Sequence, residues 1–275
     1  MKDRSFTFNL TNREKRMNVK IIAIANQKGG VAKTTTTAAM AAGLKRKGYK
    51  VLAVDLDAQG NLTTNLGAET DGLATTYDVM KGISTAEEAI QHFDVFDILP
   101  ADLALASADI EFVQTGREHK LKKALASVIE KYDFILLDTP PTLGIMTTNA
   151  FFAANEVLIP ANGFDGVKGI VNLVNSVNTA REYGNSGLKI SGILLTRYNP
   201  RANIEQGIKE LAEAVAHQID SKVFNTYIRT SVMVDEAKAN KTDIFSYDLK
   251  NNVSKDYMKF IEEFLEEMPN EQVKI

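Results

Sequence analysis

Ile21-Ile22-Ala23-Ile24-Ala25-Asn26-Gln27-Lys28-Gly29-Gly30-Val31-Ala32-Lys33-Thr34-Thr35 decides how this chain reads. An apolar run suited to a buried strand leads into a glycine-bearing loop that closes on Lys-Thr-Thr. A phosphate-binding loop needs glycines where the backbone curls to aim its N–H groups at phosphate oxygens. It also needs a lysine for the β- and γ-phosphates and a hydroxyl for Mg²⁺. Lys33 and Thr34 fill the last two roles. The N–H groups of Gly30 through Thr35 are expected to form the cradle, at the positive end of a helix beginning at Thr34. Two positions depart from the ordinary loop, since Gln27 and Ala32 stand where glycine is usual. An alanine at 32 requires either a negative φ or strain on the order of 1 kcal/mol.

Two further apolar runs end in carboxylates, Val51-Leu52-Ala53-Val54-Asp55-Leu56-Asp57 and Phe134-Ile135-Leu136-Leu137-Asp138. Strand-like runs alternate with segments of helical period, which predicts a single-domain α/β fold, a doubly wound, mostly parallel sheet with helices on both faces. Strands are expected near residues 19–25, 50–55, 94–99, 133–138, 156–160 and 189–196. Helices are expected from Thr34 and near 103–112, 117–130, 165–184, 203–219 and 252–267. One domain, 17–275, follows a polar extension, 1–16, that carries Lys2, Arg4, Arg13, Lys15 and Arg16 against Asp3 and Glu14. Its composition reads first as a solvated tail and second as a basic arm.

At 275 residues and 44% hydrophobic content, the chain has enough material for one substantial core. It holds no cysteine, which excludes disulfides and thiolate metal sites. Without an apolar run of membrane-spanning length or a signal-peptide core, a cytoplasmic location is expected. The formal net charge is −3, so binding to nucleic acid would need a focused basic patch.

A second lysine, Lys28, precedes Lys33 by five residues inside the loop. Lys28-Gly29-Gly30-Val31-Ala32-Lys33-Thr34-Thr35 resembles the deviant Walker A loop of the ParA/MinD ATPase family, KGGxGK[ST][ST]. The resemblance continues through Asp55-Leu56-Asp57-Ala58-Gln59-Gly60-Asn61-Leu62-Thr63, similar to that family's second motif. It extends to Leu137-Asp138-Thr139-Pro140-Pro141-Thr142-Leu143-Gly144, similar to its third. The three motifs stand in order with that family's spacing, and the whole chain from about Met17 to Met268 is consistent with the family. Within it the chain most resembles the ParA/Soj-type partition ATPases. The missing cysteines weigh against the nitrogenase iron protein, a relative whose cluster requires them.

The resemblance implies ATP and Mg²⁺ as cofactors. Gly29, Gly30, Val31, Ala32, Lys33, Thr34, Thr35 and Asp55 are expected around the nucleotide, with Thr34 ligating Mg²⁺ and Asp138 holding it through water. If the strand persists through Asp57, Asp55 and Asp57 point the same way and compete for one cation-rich pocket. By the family pattern Asp57 positions the attacking water, and turn-forming aspartates are the bland alternative. Lys28 is expected to cross a dimer interface to the partner's nucleotide, which implies an ATP-sandwich homodimer. Asn199 is a candidate for the adenine, with an Asn-Pro turn as the equal alternative.

Arg201, Arg229, Lys238 and Lys241 are the candidates for nonspecific double-stranded DNA, carried by the resemblance of Tyr198–Arg201 and Thr226–Thr230 to DNA-contacting places in ParA proteins. Met233 stands where that family often has a second arginine. The implied partner is a ParB-like centromere-binding protein that stimulates hydrolysis, and the implied location is the nucleoid. Two alternatives are a MinD-like membrane switch and a metabolic P-loop enzyme of the dethiobiotin synthetase type. Against the first, Phe260–Met268 carries an apolar stripe flanked by four glutamates, which anionic headgroups would repel. That stripe is expected to pack on the domain or on a dimer partner, with no membrane involved.

Overall fold

The computed structural model describes residues 19–268, so the extension expected at 1–16 lies outside the described residues. The first half runs β1 (Lys20–Ile24), α1 (Lys33–Arg46), β2 (Val51–Asp55), α2 (Asn61–Leu66), α3 (Thr76–Lys81), α4 (Ala86–Ala89), β3 (Asp97–Leu99), α5 (Ala108–Glu111), α6 (Lys120–Leu125) and β4 (Phe134–Asp138). The second half continues with α7 (Ile145–Ala153), β5 (Glu156–Ala161), α8 (Gly163–Lys168), α9 (Ile170–Tyr183), β6 (Lys189–Leu195), α10 (Asn203–Gln218), α11 (Met233–Ala239), α12 (Ile244–Asp248) and α13 (Asn252–Glu266). The strands form one sheet in the order β3-β2-β4-β1-β5-β6, and its pairings are parallel.

Strand alternation builds two apolar layers, because successive side chains leave opposite faces of a pleated strand. Ile21 and Ala23 of β1 face the layer of α3, α7, α9 and α10. Ile22 and Ile24 face the layer of α1, α12 and α13. Both faces are covered, so β2 and β4 are apolar up to their closing aspartates, and every residue of the two strands is buried. The glutamate-flanked stripe packs on its own domain: Tyr257, Phe260, Ile261 and Phe264 are buried in the layer that holds α1.

All six expected strands are present, and the expected helices differ mainly in continuity. Residues 103–112 form a 3₁₀ turn and then α5, while only α6 within 117–130 is α-helical. The segment 165–184 divides into α8 and α9 at Gly169. The sequence reading missed α2, α3, α4, α7, α11 and α12. Apart from α7 these span seven residues or fewer, too short for helical periodicity to register. The α7 helix is buried on nearly every side, so it presents no amphipathic pattern.

Topology fixes where a ligand can sit. The chain leaves β1 toward β2 on one side and later passes from β4 to β5 on the other, so the order reverses at β1. The crevice outside the carboxyl ends of the strands at such a reversal is the binding place of open α/β sheets. The loop 26–32 starts there.

Candidate nucleotide site

The loop between β1 and α1 is held by its carbonyls. Asn162 Nδ2 donates to the Gly30 carbonyl at 3.2 Å, and Thr196 Oγ1 donates to that of Val31 at 3.1 Å. Lys33 Nζ donates to the Lys28 carbonyl at 3.3 Å. Asn26 anchors the loop's start, donating to the carbonyls of Pro160 at 2.8 Å and Gly166 at 3.1 Å while its Oδ1 accepts the Lys28 N–H at 3.0 Å. With the Gly30 and Val31 carbonyls tied to Asn162 and Thr196, which follow β5 and β6, the loop N–H groups are left to face the other way. Among the described residues those of positions 29–32 donate to no protein acceptor. They lead into the unpaired first turn of α1, which is an anion cradle by construction.

Gly30 sits at φ +77° and Ala32 at +64°. The negative-φ condition for Ala32 is therefore not met, and the loop carries the strain instead. Ala32 occupies the N-cap of α1 without a side-chain cap, and α1 opens at Lys33, one residue before the expected start.

Gly29, Gly30, Ala32, Lys33, Thr34 and Thr35 line an open recess of about 400 Å³ together with Asp57, Gln59, Asn61, Asn65, Pro141, Arg197 and Lys238. Lys33 is mostly buried. Burial lowers its pKa, against the charges of Asp138 and Asp57, which favour the ammonium. Asp138 pairs in register with Asp55 across β4 and β2. Asp138 Oδ1 accepts from Thr37 Oγ1 at 3.1 Å, while Oδ2 is buried without a hydrogen-bond partner among the described residues. Burial first, and then the Asp55 charge, push the Asp138 pKa up, opposed by Thr34, Thr37 and Lys33. Such a carboxylate, with one orphaned oxygen beside the loop threonines, fits a cation. Thr34 and Asp138 are thus the residues that would hold Mg²⁺.

Asp55 and Asp57 do not share a pocket. Because β2 stops at Asp55, the strand alternation expected to align them ends there. Asp55 is fully buried and accepts from Thr63 N at 3.0 Å, Thr63 Oγ1 at 2.8 Å and Asp57 N at 3.1 Å. Burial is the largest influence on it and raises its pKa. Only Asp57 reaches the recess. Asp55 instead clamps the start of α2, and Thr63 passes the connection on by accepting the Ala101 N–H at 2.9 Å.

Lys28 points away from the cradle. Its ammonium is half-exposed and lies 3.9 Å from Asp165 on α8. Asn199 forms its own turn, its Oδ1 accepting from Arg201 N at 3.2 Å. It lies in a second recess, shared by Tyr198, Pro200, Arg201, Tyr227, Arg229 and Thr230.

The four DNA candidates separate accordingly. Arg201 and Arg229 share that second recess. Arg229 is forked on Asp256, Nε to Oδ2 and Nη2 to Oδ1, both at 2.7 Å. Lys238 lines the phosphate-loop recess and pairs with Asp235 at 3.3 Å. The Lys241 side chain packs beside Gly67. Arg197, legible in the sequence only as one of the basic residues spread from Leu194 to Lys241, stands instead at the phosphate-loop recess. Sequence reasoning missed Thr37 and the carbonyl-holding Asn162 and Thr196. Thr37 alone left a signal, lying three residues after Thr34 and so on the same helix face.

The sequence and the fold are similar to those of known proteins. A family model described as an AAA domain matches residues 19–190. The sporulation initiation inhibitor protein Soj of Bacillus subtilis is 39% identical over 249 residues, covering 89% of this chain and 97% of that protein. The chromosome partitioning protein ParA of Caulobacter vibrioides is 34% identical over 263 residues, covering 93% and 97%. Among solved structures, cobyrinic acid a,c-diamide synthase from Mycobacterium smegmatis with bound ADP and magnesium superposes with a TM-score of 0.77 at 31% identity, covering 89% of this chain and 93% of that one. A putative plasmid partition protein from Borrelia burgdorferi bound to AMPPNP shares the fold, with a TM-score of 0.78 at 24% identity, covering 91% and 100%. With the full-length Soj and ParA similarity added to the three loop motifs and the crevice they line, the chain belongs to the ParA/MinD family of P-loop ATPases.

Proposed function

We propose that this chain is a ParA-type partition ATPase, an ATP-dependent homodimer that holds DNA without sequence preference and releases it when a centromere-binding, ParB-like partner stimulates hydrolysis. One observation carries the reading beyond a generic P-loop enzyme. Lys28, in the heart of the loop, accepts the Lys33 ammonium on its carbonyl and turns its own ammonium outward. A half-exposed cation beside the recess, unable to serve its own cradle, suits a phosphate on a facing copy. The full-length similarity to Soj and ParA favours the same reading. The burial of the α13 stripe removes the apolar face that a membrane-docking alternative would use.

Mg²⁺ bound with ATP would supply charge neutralisation on the phosphates. Around it the loop N–H groups and Lys33 orient the phosphate chain, with Thr34 and Asp138 on its metal side. Asp57, at the recess and free of the clamp that holds Asp55, orients the attacking water by hydrogen bonding. Lys28 of one copy stabilises the charge developing on the other's nucleotide. Arg201 and Arg229 form the DNA side, contacting phosphates. The protein would then be cytoplasmic and nucleoid-associated.

The test is binding to random-sequence duplex DNA with ATP, a non-hydrolysable analogue, ADP and no nucleotide, across a salt series. The reading expects salt-sensitive binding in the triphosphate states alone, lost in Arg229→Ala, and ATP-dependent dimers lost in Lys28→Ala. Triphosphate-independent binding, or none at low salt, overturns the DNA assignment. Lys28→Ala dimers that hydrolyse normally overturn the assignment across the interface.

A further inference from the structure

Arg197 follows β6 and stands at the phosphate-loop recess with Lys33, Thr34, Asp57 and Lys238. Its side chain is exposed and, among the described residues, makes no ion pair or hydrogen bond. Lys238, by contrast, already shares its charge with Asp235.

The backbone of Arg197 lies at φ +53°, a left-handed conformation that arginine seldom adopts. Its neighbours leave it little choice. Thr196 Oγ1 donates to the Val31 carbonyl at 3.1 Å and to that of Ala161 at 3.3 Å. Tyr198 N donates to the Ile228 carbonyl at 3.0 Å, and Thr230 Oγ1 donates to that of Arg197 itself at 3.3 Å. Strain over-determined in this way collects at functional sites. Here the same threonine that fixes the turn also grips the phosphate loop, so the two are positioned together.

The sheet order says which end of a nucleotide this arginine meets. Asp57 and Asp138 approach the cradle from β2 and β4, on one side of β1, whereas Arg197 approaches from β6, on the other. A guanidinium arriving from that side reaches the phosphates nearer the nucleoside, which ATP and ADP share, and its planar fork suits their oxygens. We propose that Arg197 is a nucleotide-binding residue that grips, within its own subunit, the phosphates nearer the nucleoside, strengthening the binding of diphosphate and triphosphate alike. The inference rests on the phosphate-loop reading of the site.

Titration of fluorescent ADP and ATP analogues into the full chain and into Arg197→Gln, Arg197→Lys and Arg197→Asn tests it. Asparagine tolerates the left-handed backbone, so that variant separates lost charge from altered strain, with thermal unfolding as the check on folding. Gln and Asn are expected to weaken both nucleotides about tenfold or more, the scale of a charge-assisted hydrogen bond. Lys should fall between them and the wild type, and the loss should appear in KM more than in kcat. Undiminished affinity in folded variants overturns the proposal, as does a loss confined to the triphosphate. Loss of DNA binding with nucleotide affinity intact would move Arg197 to the surface of Arg201 and Arg229. If the wild type binds neither nucleotide, the phosphate-loop reading itself falls and takes this inference with it.

Discussion

Ala32 at φ +64° is the residue where this loop departs most from the usual glycine. Left-handed backbone costs an L-residue about 1–2 kcal/mol, while a glycine forfeits about 0.4–1 kcal/mol through the freedom of its unfolded chain. The first term is the larger, so Ala32→Gly should stabilise the protein slightly, by no more than about 1.6 kcal/mol, and denaturant unfolding checks it. Asp138 and Asp55 give a prediction of opposite character. Burial raises both pKa values, so the metal-free folded state binds more protons than the unfolded chain above the ordinary carboxylate range near about pH 4. The free energy of unfolding therefore falls as pH rises from there toward the raised folded values. Asp138→Asn removes one titrating group and its repulsion on the other. Without metal or nucleotide it should be more stable than wild type near neutral pH and show a flatter profile. Urea unfolding at several pH values measures both, and an unchanged slope would contradict the buried-carboxylate account.

At the scale of elements, α13 keeps α1 in place from behind. Tyr257 shares a 3.1 Å hydrogen bond with Thr36 in the first turns of α1. Phe260 is fully buried, edge-on to Phe224 at 5.0 Å between ring centres. Truncating such a side chain leaves a cavity, and Phe260→Ala should cost about 3–5 kcal/mol. Tyr257→Phe removes one hydrogen bond and should cost only about 0.5–1.5 kcal/mol. Thermal unfolding ranks the two. If α13 instead served mainly as a docking surface for a partner, both variants would unfold like wild type and differ only in assembly.

For the whole molecule, ligand binding and stability are linked because the cradle exists only when β1, β4, β5 and β6 are assembled. A nucleotide bound only by the folded state at about a hundred times its Kd raises the free energy of unfolding by about 2.7 kcal/mol. Mg²⁺ with ATP should shift the melting temperature upward accordingly. Lys33→Ala should lose most of that shift, and Thr34→Ala should lose the part that depends on Mg²⁺. Asp57→Ala should keep the full shift while turnover disappears, because Asp57 is assigned to water rather than to binding. Calorimetry with and without Mg²⁺, beside a phosphate-release assay, separates the three.

The six strands, the phosphate loop and the carboxylate at the end of β4 were legible in the chain itself. Each is written locally, as an unbroken apolar run or as a fixed spacing of Gly, Lys, Thr and Asp. The buried stripe of α13 was legible for the same reason, being a helical period. Tertiary structure decided what periodicity cannot carry. It ended β2 at Asp55 and so divided two aspartates, two residues apart, between a clamp on Thr63 and the recess. It brought Asn162, Thr196 and Arg197 to a loop more than a hundred residues earlier, because β5 and β6 lie beside β1 in the sheet. It also distributed Arg201, Arg229, Lys238 and Lys241 among three places and gave Arg229 a carboxylate partner. Local sequence specifies backbone conformation and which face is apolar, whereas the neighbours of a side chain depend on how distant segments cross.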